Sequence, residues 1–568
     1  MVTNSARQTI KRLYQIRNQY GAEAMREKLA LLDRIPRLSI RAATDLRRLH
    51  LTLCFMRAFP DAAPVHAQAV ALLEAFATLV GGLGDAQRSR MADSGIAGTD
   101  VHYNFSYEVA AWMAQRFPGI AAIDWDAEFD TARLDELLEK LLQHAETDYF
   151  DSGRASTEDW VGLSAEHQRG SDFDWLMSEI ADRPRDACYW TALYNAADLP
   201  LCCELGDSRI SRTRNVYPVD TIYFRHDTMR SRVRRPKPEI AKPVRTICRL
   251  GKRDGTRLID VAMSSLAVRH RETIHFNHAN PDEVYLAYVG KGVVIAVTGL
   301  RSAQRYPLEC TMGFLILSNG VPIGYGGSSI FFRQANTGIN IFEEYRGSEA
   351  AWLWVQVMRV FHTLARCTRF IANPYQFGSE NSEALKSGAF WFYYRLGYRP
   401  VDAAVRELAA SEYARLCDAR GYHTPLAVLR RLATCDMHLT LPGARQSEFF
   451  DESWLDTLSL LATRQLALTG QPSRRKAVNT LERRLVAELG IPDPGNWDRE
   501  ERRWLRRLCP IVAATDPGRW SRGDRKALVA LMRAKGGRCE LDFVKLFRKH
   551  AAFFAALKRA CRRADAAA

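Results

Sequence analysis

A few short stretches of the 568-residue sequence carry residue types that could do chemistry. HRETIHFNHANPDE holds His270, His275 and His278 near Asp282 and Glu283. Imidazoles and carboxylates are metal ligands, but these spacings match no familiar set, and loop histidines without a metal are the expectation. GVPIGYGGSS offers Gly324, Gly326 and Gly327 without the lysine and helix of a phosphate loop. Inside strand-like sequence such glycines mark a bulge or a close backbone approach. The 12 cysteines contain no CxxC pair, and Cys202 and Cys203 are adjacent, so reduced thiols are expected. EEYRGSEAA carries Glu343, Glu344 and a turn leading into a helix, where unpaired N–H groups and the positive helix end favour an anion. NSEALKSGAFWFYYRLGYRP, residues 381–400, crowds aromatic and basic side chains around Leu396 and Gly397.

The elements that must position these residues follow from apolar spacing. Residues 1–204 read as a helical N-terminal region. IKRLYQIRNQYGAEAMREKLALLDRI and DLRRLHLTLCFMRAF repeat apolar side chains every three or four residues, and FDTARLDELLEKLLQHAE starts with Asp130 or Thr131 as N-cap. Residues 205–257 form a basic connector in which Pro236, Pro238 and Pro243 exclude a long helix. Residues 258–405 are mixed. VYLAYV, VVIAVTGL, CTMGFLILSNGVPIGYGGSSIFF and GINIFEEYR are strand candidates, with Asn319 and Gly320 at a hairpin tip and Glu343 and Glu344 at the end of the last strand. SEAAWLWVQVMRVFHTLAR is a helix that Ser348 can cap, and CTRFIANPY is a further short strand. Leu385, Ala389, Phe392, Tyr393 and Leu396 share one helical face, Gly397 suits a left-handed helix end, and a strand follows. Residues 406–568 return to a basic helical C-terminal region. No repeat of fixed period is present. The expected class is α/β, with a central mixed sheet between large, mainly α-helical terminal regions.

The order strand, hairpin, strand, strand, RGSEAA turn, helix, strand, helix, strand resembles the GNAT-type N-acetyltransferase superfamily over about residues 258–405. The resemblance implies a GNAT-like domain. In that family the turn reads Arg/Gln-x-x-Gly-x-Gly/Ala, and its amides hold the pyrophosphate of acetyl-coenzyme A. Arg346 matches the first position and Ala351 the last, with Gly347, Ser348, Glu349 and Ala350 between them. Glu349 stands where the family has glycine, so a carboxylate would adjoin the pyrophosphate. Asn381, Ala384, Tyr393, Leu396, Gly397 and Tyr398 match the second motif. The resemblance makes Tyr393 the acid that protonates the departing coenzyme A thiolate, as a phenol with pKa near 10 can. Glu343 or Glu344 would be the base for the acceptor amine, and N–H groups near Ile341 and Phe342 would polarise the acyl carbonyl. Gln376 and Asn381 either orient substrate or satisfy turn backbone groups. The implied activity is acyl transfer from acetyl-coenzyme A, or another acyl-coenzyme A, to an amine, without a metal. A second reading keeps the fold without catalysis: Tyr393 packs in the core, and the helical regions bind a protein or nucleic acid.

Composition sets the outer limits. An apolar share of 47% with 26% charged residues describes a globular chain with ample core. The start, MVTNSARQTIKRLYQ, lacks the apolar core of a signal peptide, and charges interrupt every apolar run, so a cytoplasmic protein without membrane insertion is expected. The net charge of +15 is concentrated. Residues 209–257 hold 15 bases against 4 acids and residues 522–563 hold 13 against 3, whereas 124–186 hold 18 acids against 6 bases. The basic segments either pair with the acidic one or bind a polyanion such as nucleic acid.

Overall fold

Apolar residues at helical spacing build the first of two units, Met1–Thr228 with Arg257–His278 and Leu317–Ile323. The computed structural model describes residues 2–183, 187–230, 232–346 and 349–566. Helices Val2–Ile16, Ala22–Leu32, Ala43–Ala58 and Ala63–Glu74 bury Leu13, Leu32, Leu49, Leu53, Val65 and Leu73 against one another. Lys28 and Asp61 form a buried ion pair at 2.8 Å. As the sequence indicates, Asp130 stands at the N-cap of helix Thr131–Leu138. A small antiparallel sheet departs from the all-helical expectation. Its strands are β1 (Asp100–Tyr103), β2 (Ala121–Ile123) and β3 (Leu201–Glu204), with β3 in the middle. Three or four residues are too few for alternation to register as a pattern.

The second unit comprises Met229–Thr256, Ala279–Ile316 and Gly324–Ala568. Its nine-stranded mixed sheet consists of β4 (Thr246–Arg249), β5 (Ala279–Gly290), β6 (Val293–Leu300), β7 (Cys310–Ser318), β8 (Val321–Phe331), β9 (Gln334–Ile341), β10 (Arg369–Ala372), β11 (Arg399–Pro400) and β12 (Met437–Thr440). The order is β11-β12-β10-β9-β8-β7-β6-β5-β4. The α/β class with a large mixed sheet is therefore correct. The expected hairpin is present: Asn319 and Gly320 join β7 to β8 with φ of 49° and 78°, the left-handed pair that a two-residue turn requires. The register of β8 with β9 runs unbroken from Gly324↔Ile341 to Phe331↔Gln334, so the glycine-rich run is no bulge. Close approach explains it, since a Cβ on Gly326 would lie 2.3 Å from Cζ of Phe314.

Two strands come from segments without a strand signature. β4 lies in the basic connector and forms one sheet edge on β5. β12, from the C-terminal region read as helical, inserts between β10 and β11. Residues 381–400 fold as two short helices, Ser382–Lys386 and Ala389–Arg395, because Gly388 (φ 66°) interrupts the run, and Gly397 takes the expected positive φ, 100°.

Helices Arg522–Gly536 and Glu540–Phe547 meet β5 and the segment after β6 through a buried charge network. Arg305 lies 3.7 Å from Glu283 and 3.8 Å from Glu540, and Lys535 bonds the other Glu540 oxygen. Glu283 accepts from the N–H groups of Glu540 and Leu541, both at 2.8 Å, at the start of helix Glu540–Phe547. All four side chains are inaccessible to solvent. Two cations and two anions share the interior, so each relieves the desolvation of another. Among the described residues, no helix is long and apolar enough to cross a membrane.

Candidate functional site

The site begins where the parallel pairing of two strands ends. β9 and β10 pair in parallel from Arg369↔Gln334 to Ile371↔Asn336, and β9 then runs on to Ile341 with β8 as its strand partner. Helix Ala350–Ala365 makes the crossover between β9 and β10. It buries Leu353, Trp354, Val357, Met358 and Phe361, and Phe361 meets Phe314 of β7 edge to face. From the carboxyl end of β9 the chain passes the 3-10 turn Glu343–Tyr345 before the N-terminus of this helix. In open α/β sheets this is where ligands bind.

Glu349 is the N-cap residue of that helix. Its φ of −81° is ordinary for any residue, so its backbone has no need of glycine. The side chain is buried. One carboxylate oxygen accepts from the backbone N–H of Arg230 at 2.9 Å and pairs with the Lys291 ammonium at 3.1 Å. Lys291 sits at the β5–β6 hairpin tip between Gly290 and Gly292, all three with positive φ, and its ammonium lies 5.4 Å above the Trp352 ring. The Glu349 charge is thus neutralised in place. Gly347 and Ser348 lie outside the described residues. Ala350 and Ala351 are half-buried in the first turn.

Arg346 is exposed and pairs with Glu383 at 2.8 Å. This contact ties the turn after β9 to the short helix Ser382–Lys386, whose N-cap Asn381 accepts from Ala384 N–H at 3.0 Å. The structure therefore brings the two sequence motifs together. Asn381 satisfies turn backbone, the second of the roles open to it. Gln376 lies against β9 beyond the end of its pairing with β10, since a Cβ on Gly338 would stand 2.2 Å from the Gln376 amide oxygen. Close by in sequence, at the carboxyl end of β10, Asn373 Oδ1 is buried without a hydrogen-bond partner among the described residues. Such an acceptor suits the N–H of a ligand.

Glu343 and Glu344 do not end the strand as expected but form one 3-10 turn with Tyr345. Glu343 is exposed and Glu344 buried, so the neighbours face different surroundings. Tyr393 is 3% exposed and surrounded by Trp354, Phe377, Phe392 and Tyr398. Burial pushes its phenol above the ordinary value, so it is protonated at neutral pH.

The remaining sequence candidates disperse. His270 stacks on Tyr103, His278 lies 3.7 Å from Glu108, and burial lowers His275 to about 4. Among the described residues, no three His, Cys, Asp or Glu side chains are grouped to hold a metal. All cysteines are free thiols. In the basic segments, Arg214 pairs with Asp207, Arg533 with Glu501 and Arg538 with Asp282, while Arg232, Arg234 and Arg235 are exposed without an ion pair among the described residues.

Lys291, Arg230 and Asn373 are site residues that sequence reasoning missed. The Gly-Lys-Gly triplet signals a hairpin tip, but only the fold delivers that tip to Glu349. In comparisons with known proteins the chain matches no family model, no curated protein and no solved structure.

Proposed function

We propose that the second unit carries, within about residues 279–405, the centre of a GNAT-like acyltransferase, which takes an acyl group from acyl-coenzyme A and passes it to an amine. The observation that supports the reading is that β9 outruns its parallel partner β10 on the side where the crossover helix Ala350–Ala365 follows. The resemblance in the sequence assigns anion binding to the turn at that same point. The helix end favours phosphate oxygens there, and the exposed Arg346 precedes it in the chain. Lys291 offsets the Glu349 charge and adds a cation beside the first helical turn. The unsatisfied Asn373 oxygen fits an amide N–H of the donor's pantetheine arm. In this account Glu343 or Glu344 accepts the amine proton, and Tyr393 returns a proton to the leaving thiolate.

A second reading is favoured by the rings around Tyr393 and the paired, buried state of Glu349. In it the same fold is a scaffold, and partners such as a protein or nucleic acid bind elsewhere, with Arg232, Arg234 and Arg235 as exposed cations.

Glu349→Gln separates the two. The amide keeps the size and the bond to Arg230 N–H while removing the charge and releasing Lys291. The acyltransferase reading expects coenzyme A to bind about tenfold tighter to the variant, the effect of one like charge removed beside a phosphate. Unchanged affinity in a folded variant contradicts a pyrophosphate at this turn.

A further inference from the structure

The first unit contains a cavity of ≈ 390 Å³, a size typical of small-molecule sites. Much of its wall is aliphatic: Val70 and Leu73 from helix Ala63–Glu74, Val219 and Ile222 from the irregular segment after Arg214, and Val321 from the hairpin tip. The wall also carries charged or titratable residues: the buried Arg57, the half-buried His66, and Glu74, Asp207, Arg209 and Arg214 nearer the solvent.

Arg57 lies in the last turn of helix Ala43–Ala58 and is 7% exposed. Nη1 donates to the Thr213 carbonyl at 2.6 Å and Nη2 to that of Arg212 at 3.4 Å. Nε is buried and has no hydrogen-bond partner among the described residues. No carboxylate among them forms an ion pair with Arg57. The acids that line the cavity, Glu74 and Asp207, are exposed and face Arg214 instead, at 3.9 and 3.2 Å. Carbonyl oxygens hold two arms of the guanidinium but leave a full buried charge without a counter-ion.

One edge of that guanidinium remains available. Nε–H and the second Nη2–H form the fork that receives a carboxylate on two parallel bonds. His66 does not compete for an anion, since burial and the Arg57 charge lower its pKa and keep the ring neutral at neutral pH. We infer that this cavity binds a small amphipathic carboxylate, its head on Arg57 and its aliphatic chain along Val70, Leu73, Val219 and Ile222. The inference is independent of the acyltransferase reading, which concerns the other unit.

Decanoate titrated into the full chain, with decanol and decyltrimethylammonium as chain-matched controls, tests the site. Decanoate binds one-to-one, while the alcohol and the cation bind at least about tenfold more weakly because neither fills the guanidinium fork. Arg57→Met removes that preference. Val219→Glu, at the exposed rim, keeps Arg57 and its carbonyl bonds but sets a charge against the aliphatic chain, weakening decanoate by a similar factor. If Arg57→Met does not fold, the rim variant and the controls decide. Absence of saturable decanoate binding, equal binding of the alcohol, or wild-type affinity in Val219→Glu overturns the inference.

Discussion

Arg305→Met lowers the unfolding free energy by about 3–5 kcal/mol, because removing one partner from a buried charge network leaves the others uncompensated. Arg305 is the hub. Besides its two carboxylate neighbours, it donates to the carbonyls of Lys535 and Gly537, both at 2.7 Å, and to Leu300 at 3.2 Å. Methionine retains much of the volume and meets none of these acceptors. Burial already pushes Glu283 up to about 7 against the opposing pull of Arg305. Without the guanidinium the carboxyl is driven further toward the neutral acid, and Glu540 is left with Lys535 alone. Urea denaturation followed by tryptophan fluorescence measures the loss. Arg519→Met is the control, since its pair with Asp516 lies at the surface and is worth about 0–1 kcal/mol. Equal, small losses in the two variants would mean that the network does not fasten the C-terminal helices to the sheet.

Tyr393→Phe lowers turnover by roughly a hundredfold if Tyr393 is the proton donor, with affinity for coenzyme A almost unchanged. The substitution deletes one hydroxyl and keeps the ring, so the packing on Trp354, Phe377 and Tyr398 survives. Tyr394→Phe is the matched control. Its ring faces Trp391 and Tyr413, with the Arg399 guanidinium 4.1 Å above it, so its hydroxyl belongs to different surroundings. Release of coenzyme A thiol with a panel of primary amines provides the readout. Equal turnover in wild type and Tyr393→Phe would remove this tyrosine from the chemistry and leave it as core.

What could be read in the sequence depended on the length of each signal. The long helices and the Asn319–Gly320 hairpin were legible because their periodicity or turn chemistry is local. The crossover helix was equally plain from its run of apolar residues after Glu349. Strands β1, β2, β3, β4 and β12 were not: so few residues give no period, and, unlike the equally short β10 and β11, they stand outside the alternating strand and helix order that marks residues 258–405. In the candidate site, the motif residues could be named in order, but their states could not. That Glu349 is neutralised by Lys291, some sixty residues earlier, is a tertiary fact. That Tyr393 is enclosed by rings from helix 350–365 and from Phe377 is another. The contact between Arg346 and Glu383 likewise joins two motifs that the sequence could only align with a family one at a time.

In the proposed acyltransferase, acyl-coenzyme A binds beside the carboxyl end of β9 and the N-terminus of helix Ala350–Ala365. Calorimetric titration of the full chain with acetyl-coenzyme A and with coenzyme A tests it most directly. The account expects saturable binding of both at one site per chain, weakened when Lys291→Ala removes the cation beside the helix N-terminus. No binding of either compound at millimolar concentration to the folded protein would contradict it.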